Sequence, residues 1–130
     1  MASRTFALTF GIIYVVVALV EVLFFRNASP DTAFLLFNPV HNIVHWVAGI
    51  LGLLAYWQGE SVSRMYAQVF GIVFLLVAIL GFIPATNEGI LNRVLGYPVN
   101  LLYNIVHLVT GVLGLMAGFG GSSMDMEKNA

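Results

Sequence analysis

Seven polar residues stand inside otherwise apolar stretches of this 130-residue chain: Glu21, His41, Asn42, His45, Tyr103, Asn104 and His107. An ionisable side chain within a membrane-length apolar run is costly, by about 2.5–3.5 kcal/mol on insertion scales, and is by default a functional candidate. Imidazole can ligate a metal or haem, relay a proton, or donate a hydrogen bond. His41 and His45, four residues apart, share one helical face, as zinc-binding histidines do. Residue 42 is Asn, however, so the glutamate of a metalloprotease HExxH helix is missing. Glu21 is the one carboxylate with access to these groups. It is expected to point inward and to accept a hydrogen bond from His41 or His45.

The elements that carry these residues follow from composition. The chain is 60% hydrophobic and 8% charged, with mean hydropathy +0.95, whereas a soluble domain carries about 25% charged residues. Net charge is −1, so there is no basic field to attract nucleic acid. The absence of cysteine excludes disulfides, thiolate metal sites and cysteine nucleophiles. Four apolar runs, roughly 5–25, 39–57, 62–83 and 98–119, are long enough to cross a bilayer at about 20 residues each. Pro39 and Pro98 suit first helical turns, and Pro84 stands just past the third run. The first run is too long for the apolar core of a signal peptide, and no small-x-small cleavage site follows it, so it is read as retained.

The chain also repeats itself. Arg4, Ala7, Phe10, Gly11, Ile12, Val17 and Ala18 recur as Arg64, Ala67, Phe70, Gly71, Ile72, Val77 and Ala78. Asn42-Ile43-Val44-His45 recurs as Asn104-Ile105-Val106-His107. One domain therefore consists of two tandem copies, about 4–57 and 64–119, followed by a polar, flexible tail at 120–130. Two spans per copy means that both copies enter the membrane from the same side, related by a pseudo-twofold axis along the membrane normal. The predicted fold is all-α, a four-transmembrane-helix bundle of two parallel-repeat hairpins.

Within each run the small residues form a stripe, and such stripes mark helix contact faces in lipid. Gly11 and Gly71 lie on the stripes of the first and third runs, Gly49 and Gly52 on the second, Gly111 and Gly114 on the fourth. The seven polar residues ride on the same faces, so they point into the bundle and share the membrane half away from the termini. The copies differ there: Glu21 aligns with Gly81, and His41 with Tyr103. His45 and His107 should approach each other if the second and fourth helices pack through their glycines, linked by direct or water-bridged Asn–His contacts. Trp46, Trp57, Tyr56, Tyr66 and Tyr97 read as interfacial belt residues. The connections 26–38 and 85–97 keep apolar residues suited to lying in the interface.

The segments Gly71 to Pro84 (GIVFLLVAILGFIP) and Asn104 to Leu115 (NIVHLVTGVLGL), with the Pro-Val openings at Pro39 and Pro98, resemble an uncharacterised family of small four-helix bacterial membrane proteins classed as a domain of unknown function. The resemblance implies a four-span protein of a bacterial inner or thylakoid-type membrane. It implies no activity, cofactor or catalytic residue. Arg4, Arg64 and Lys128 against Arg26 and Arg93 favour cytoplasmic termini.

Three functions compete. The first is a non-enzymatic accessory subunit, surrounded by lipid, packing against other membrane subunits or itself, with an internal Glu/His/Asn cluster and no cofactor. The second is a carrier of haem, a chlorophyll-type pigment or a metal ligated by His45 and His107. The third is a proton or small-ion conductor, which would need polar residues in the terminal half of the bundle, where the inward face is Gly and Ala.

Overall fold

The computed structural model describes residues 2–27, 37–83 and 101–120. Four helices are present: α1 (Ala2–Val20), α2 (Pro39–Gln58), α3 (Glu60–Phe82) and α4 (Leu101–Phe119). α1 runs on into a π-helical turn, Glu21–Phe25. Each is long and apolar enough to cross a membrane, and no strand occurs among the described residues. The predicted opening of the fourth span at Pro98 falls outside the described residues, as do Pro84, Tyr97, the tail beyond 120 and nearly all of both longer connections.

Local chemistry sets the ends of α2. Pro39 occupies the first turn, and the Asn38 side chain accepts from the amides of Val40 and His41 at 2.9 and 3.1 Å, which supplies two of the acceptors an N-terminus lacks. At the other end a single residue, Gly59, separates α2 from α3. Its φ of 107° suits glycine alone without strain.

The interior is built from small residues and the exterior from large ones. Ala7, Ala18, Ala67 and Ala78 are fully buried, while Val16, Ile43 and Leu76 are half exposed or more. In lipid there is little gain from hiding Leu, so close packing decides which faces meet. The tightest seams are α1 with α2 and α3 with α4. A Cβ on Gly11 would stand 2.9 Å from the Leu53 amide nitrogen and 3.1 Å from the Gly49 carbonyl. On Gly71 it would meet Leu115 N at 2.7 Å and Gly111 O at 3.2 Å. These are the same contacts, residue for residue, in the two copies.

The expected α2–α4 packing is therefore corrected. Gly49 and Gly111 are spent inside their own hairpins, against α1 and α3; Gly52 and Gly114 lie there too and also face the Tyr66 and Phe6 side chains of the other copy, and α2 and α4 do not approach closely. A helix has one small-residue stripe, and its nearest neighbour in the chain takes it.

The pseudo-twofold axis instead runs between α1 and α3. Residues sixty apart meet there: Phe6 with Tyr66 at 6.2 Å between ring centroids, and Tyr14 with Phe74 stacked at 5.1 Å and 4°. Phe10 and Phe70 fill the rungs between them. Two serines link the copies reciprocally. Ser3 Oγ donates to Ala117 O at 2.7 Å, and Ser63 Oγ to Ala55 O at 2.9 Å. Tyr66 is thus a core residue and not an interfacial one. Its hydroxyl, which must find an acceptor when buried, donates to Ala48 O at 2.9 Å. Trp57, 78% exposed, lies on the outside, whereas Tyr56, with the Arg4 guanidinium 4.7 Å above its ring, is partly buried against the cluster of Phe6, Ala55 and Tyr66.

Candidate functional site

Glu21 opens the π-helical turn that ends α1. Such turns widen the helix by a residue, commonly at functional sites. Its side chain is fully buried. Oε2 accepts from Asn42 Nδ2 at 2.9 Å, and the same Nδ2 donates to Ala18 O at 2.9 Å. Oε1 faces His45 Nδ1 at 3.3 Å, off the line of an ideal hydrogen bond. The expected inward carboxylate is there, and its close partners on α2 are Asn42 and His45.

His45 leans on Tyr14 at 5.3 Å and on His41 at 4.1 Å between ring centroids. In the other copy His107 lies over Phe74 at 5.6 Å and 21°. The matched histidines therefore flank the stacked Tyr14–Phe74 pair from their own sides of the axis. His41 closes the group, meeting His107 edge-on at 6.0 Å and Tyr103 at 5.7 Å. One ligating nitrogen from each of His41, His45 and His107 lies within 4.8 Å of the other two. All three residues are at most 5% exposed. Although α2 and α4 stand apart, their imidazoles span the gap.

The second copy lacks the carboxylate for a steric reason as well as a chemical one. Asn104 Nδ2 donates to Gly81 O at 2.7 Å, and a Cβ at position 81 would collide with the Asn104 amide. Asn104 thus fills the place that a side chain matching Glu21 would need. Neither Asn42 nor Asn104 reaches across between α2 and α4. Each holds the helix beside it, and Asn104 Oδ1 and His107 Nδ1 are buried without a hydrogen-bond partner. The two copies give an asymmetric site: Glu21, His41 and His45 from the first, His107 from the second.

Several residues of the site's surroundings were missed in the sequence. Tyr14 Oη donates to Thr110 Oγ1 at 3.4 Å, tying α1 to α4, and both are buried. Phe74 and the serine pair belong with them. Their signal was available: Ser3 and Ser63, and the stripes Phe6-Phe10-Tyr14 and Tyr66-Phe70-Phe74, recur at the same sixty-residue offset as the matches already noted.

A groove of about 540 Å³ runs between α1 and α4. Its walls include Ile13, Val17, Val106 and Val109, and Glu21, His45 and His107 also line it, with Tyr14, Tyr103 and Thr110. The chemistry available is that of three converging imidazoles with one carboxylate oxygen 3.3 Å from Nδ1 of His45. A carboxylate that accepts the ring N–H from such a position can fix the tautomer of a metal-binding histidine.

No curated protein and no solved structure matches this chain. One family does, the domain of unknown function DUF4383, over residues 4–94 and again over 64–125. The second match begins sixty residues after the first, at the offset that relates the helical hairpins. The chain belongs to the DUF4383 family, and is a four-helix membrane protein of it.

Proposed function

We propose that this protein is a non-enzymatic, membrane-integral metal-binding protein, with a divalent transition metal held by His41, His45 and His107. The observation that carries the reading is the convergence of three buried imidazoles to within 4.8 Å. Metal–nitrogen bonds of about 2.0–2.1 Å would draw the nitrogens closer than they stand. Three imidazoles without thiolate suit zinc, copper, nickel or iron. Glu21 is engaged by Asn42 and faces His45, which supports a role in orienting that ligand over one as a mobile base.

A purely structural accessory subunit would account for the glycine seams. It would not account for a buried His107 Nδ1 that has no hydrogen-bond partner. A bis-histidine haem would need a slot between His45 and His107, where His41, Tyr14 and Phe74 pack against the two rings. Conduction fits poorly with the aromatic ladder on the axis of the terminal half. In this reading the membrane is a bacterial inner or thylakoid-type one with cytoplasmic termini, supported by Arg4 and Arg64 beside the termini.

The test is metal analysis of the protein purified in mild detergent and loaded with Zn²⁺ or Co²⁺, with His41→Ala, His45→Ala and His107→Ala alongside. One ion per chain is expected, with visible Co²⁺ bands of low coordination number, and loss of both in each variant. Sub-stoichiometric metal, or retention of the ion in the alanine variants, would overturn the reading.

A further inference from the structure

The groove between α1 and α4 is lined by Glu21 and by two of the three histidines, His45 and His107, whereas the pocket between α2 and α3 is lined by none of them. The groove's volume of about 540 Å³ falls within the range of about 300–1,000 Å³ found for small-molecule sites. Its walls are mostly aliphatic and aromatic, and Glu21, His45 and His107 are among its lining, with the hydroxyl-bearing Tyr14, Tyr103 and Thr110 beside them. The wall residues Val106 and Val109 are about half exposed on the outside of the bundle, so the groove opens toward the acyl chains.

Charge determines what such a groove should deliver. A divalent ion with three neutral imidazoles and the Glu21 carboxylate leaves one positive charge in a medium where an uncompensated charge is expensive. Three protein ligands also leave a tetrahedral metal one position short. An anion with an apolar tail satisfies both conditions and matches the groove along its length. We infer that the open position of the ion is reached laterally from the lipid through this groove and takes the carboxylate of a long-chain fatty acid. The inference rests on the metal-binding reading. It adds the route of entry and the chemical class of the ligand.

The experiment uses Co²⁺-loaded protein in phosphatidylcholine nanodiscs, titrated with laurate while the visible Co²⁺ bands are followed. Methyl laurate and acetate serve as controls, the first without the anion and the second without the chain. The expected result is a saturable spectral change with laurate, none with methyl laurate, and a half-saturation at least tenfold higher for acetate. Val109→Trp, which narrows the groove away from the histidines, should raise the laurate half-saturation at least tenfold and leave the ligand-free Co²⁺ spectrum as it was. Co²⁺ bands that ignore laurate would overturn this inference and leave the metal site standing. So would an equal response to acetate, or a Val109→Trp protein as responsive as the parent. Absence of Co²⁺ bands from the start would overturn the metal reading, and this inference with it.

Discussion

Asn42 and Asn104 occupy matched positions in the two copies, yet the structure assigns them unequal work. Asn104 Nδ2 donates to one neutral acceptor, Gly81 O. Asn42 Nδ2 donates both to Ala18 O and to the buried Glu21 carboxyl. In membranes a neutral interhelical hydrogen bond contributes about 0.6 kcal/mol on average and at most about 1.7. Asn104→Ala should therefore cost about 0.6–1.7 kcal/mol. Asn42→Ala loses a comparable bond and also strips a donor from a carboxyl group with no access to water, where bonds to charged groups count for about 1.5–3 kcal/mol. An overall cost of about 2–4 kcal/mol is expected. The assay is equilibrium unfolding of the metal-free protein in mixed micelles of mild detergent and dodecyl sulfate, followed by circular dichroism. The Glu21→Ala background supplies the internal control, because there Asn42→Ala should cost no more than Asn104→Ala does in the parent. Equal losses for the two asparagines in the parent protein would refute the reasoning, as would an Asn42 cost that persists unchanged without Glu21.

The remaining expectations use the same symmetry. Gly11→Val and Gly71→Val should each destabilise the protein by more than about 1–3 kcal/mol, and by similar amounts, since their side chains would meet backbone of α2 and α4 in equivalent seams; mixed-micelle unfolding compares them directly. Ser3→Ala and Ser63→Ala, which break reciprocal bonds to Ala117 and Ala55, should cost about 0.6 kcal/mol each and add in the double variant, measured in the same way. Removing Zn²⁺ with a chelator should lower the melting temperature, with a free-energy loss of about 2.7 kcal/mol at an ion concentration one hundred times its dissociation constant; the His107→Ala protein should show no such drop. In this cysteine-free chain, Gln58→Cys and Asn27→Cys should label from opposite sides of the membrane with an impermeant thiol reagent, because one span separates each from the next turn.

The sequence by itself determined the number of helices, the repeat and the faces that point inward. Apolar runs of bilayer length can satisfy their backbone only as helices, and small residues at three-four spacing lie on one side of a helix whatever its neighbours. Glu21, Asn42, His45, Asn104 and His107 could therefore be assigned to the interior from spacing alone. Spacing could not say which helix each stripe would meet. Gly49 and Gly111 suit close approach to any small-faced partner, and only the folded bundle gives them to Gly11 and Leu75. Once the hairpins close through those glycines, α1 and α3 are left to meet across the axis with their aromatic stripes, and α2 and α4 are held apart. That separation, which no single helix encodes, makes room for three imidazoles to converge from two helices and opens the groove that leads to them. The asymmetry of the site has a mixed origin: Glu21 against Gly81 was legible in the alignment of the copies, but that Asn104 fills the vacated space depends on side-chain volume in three dimensions.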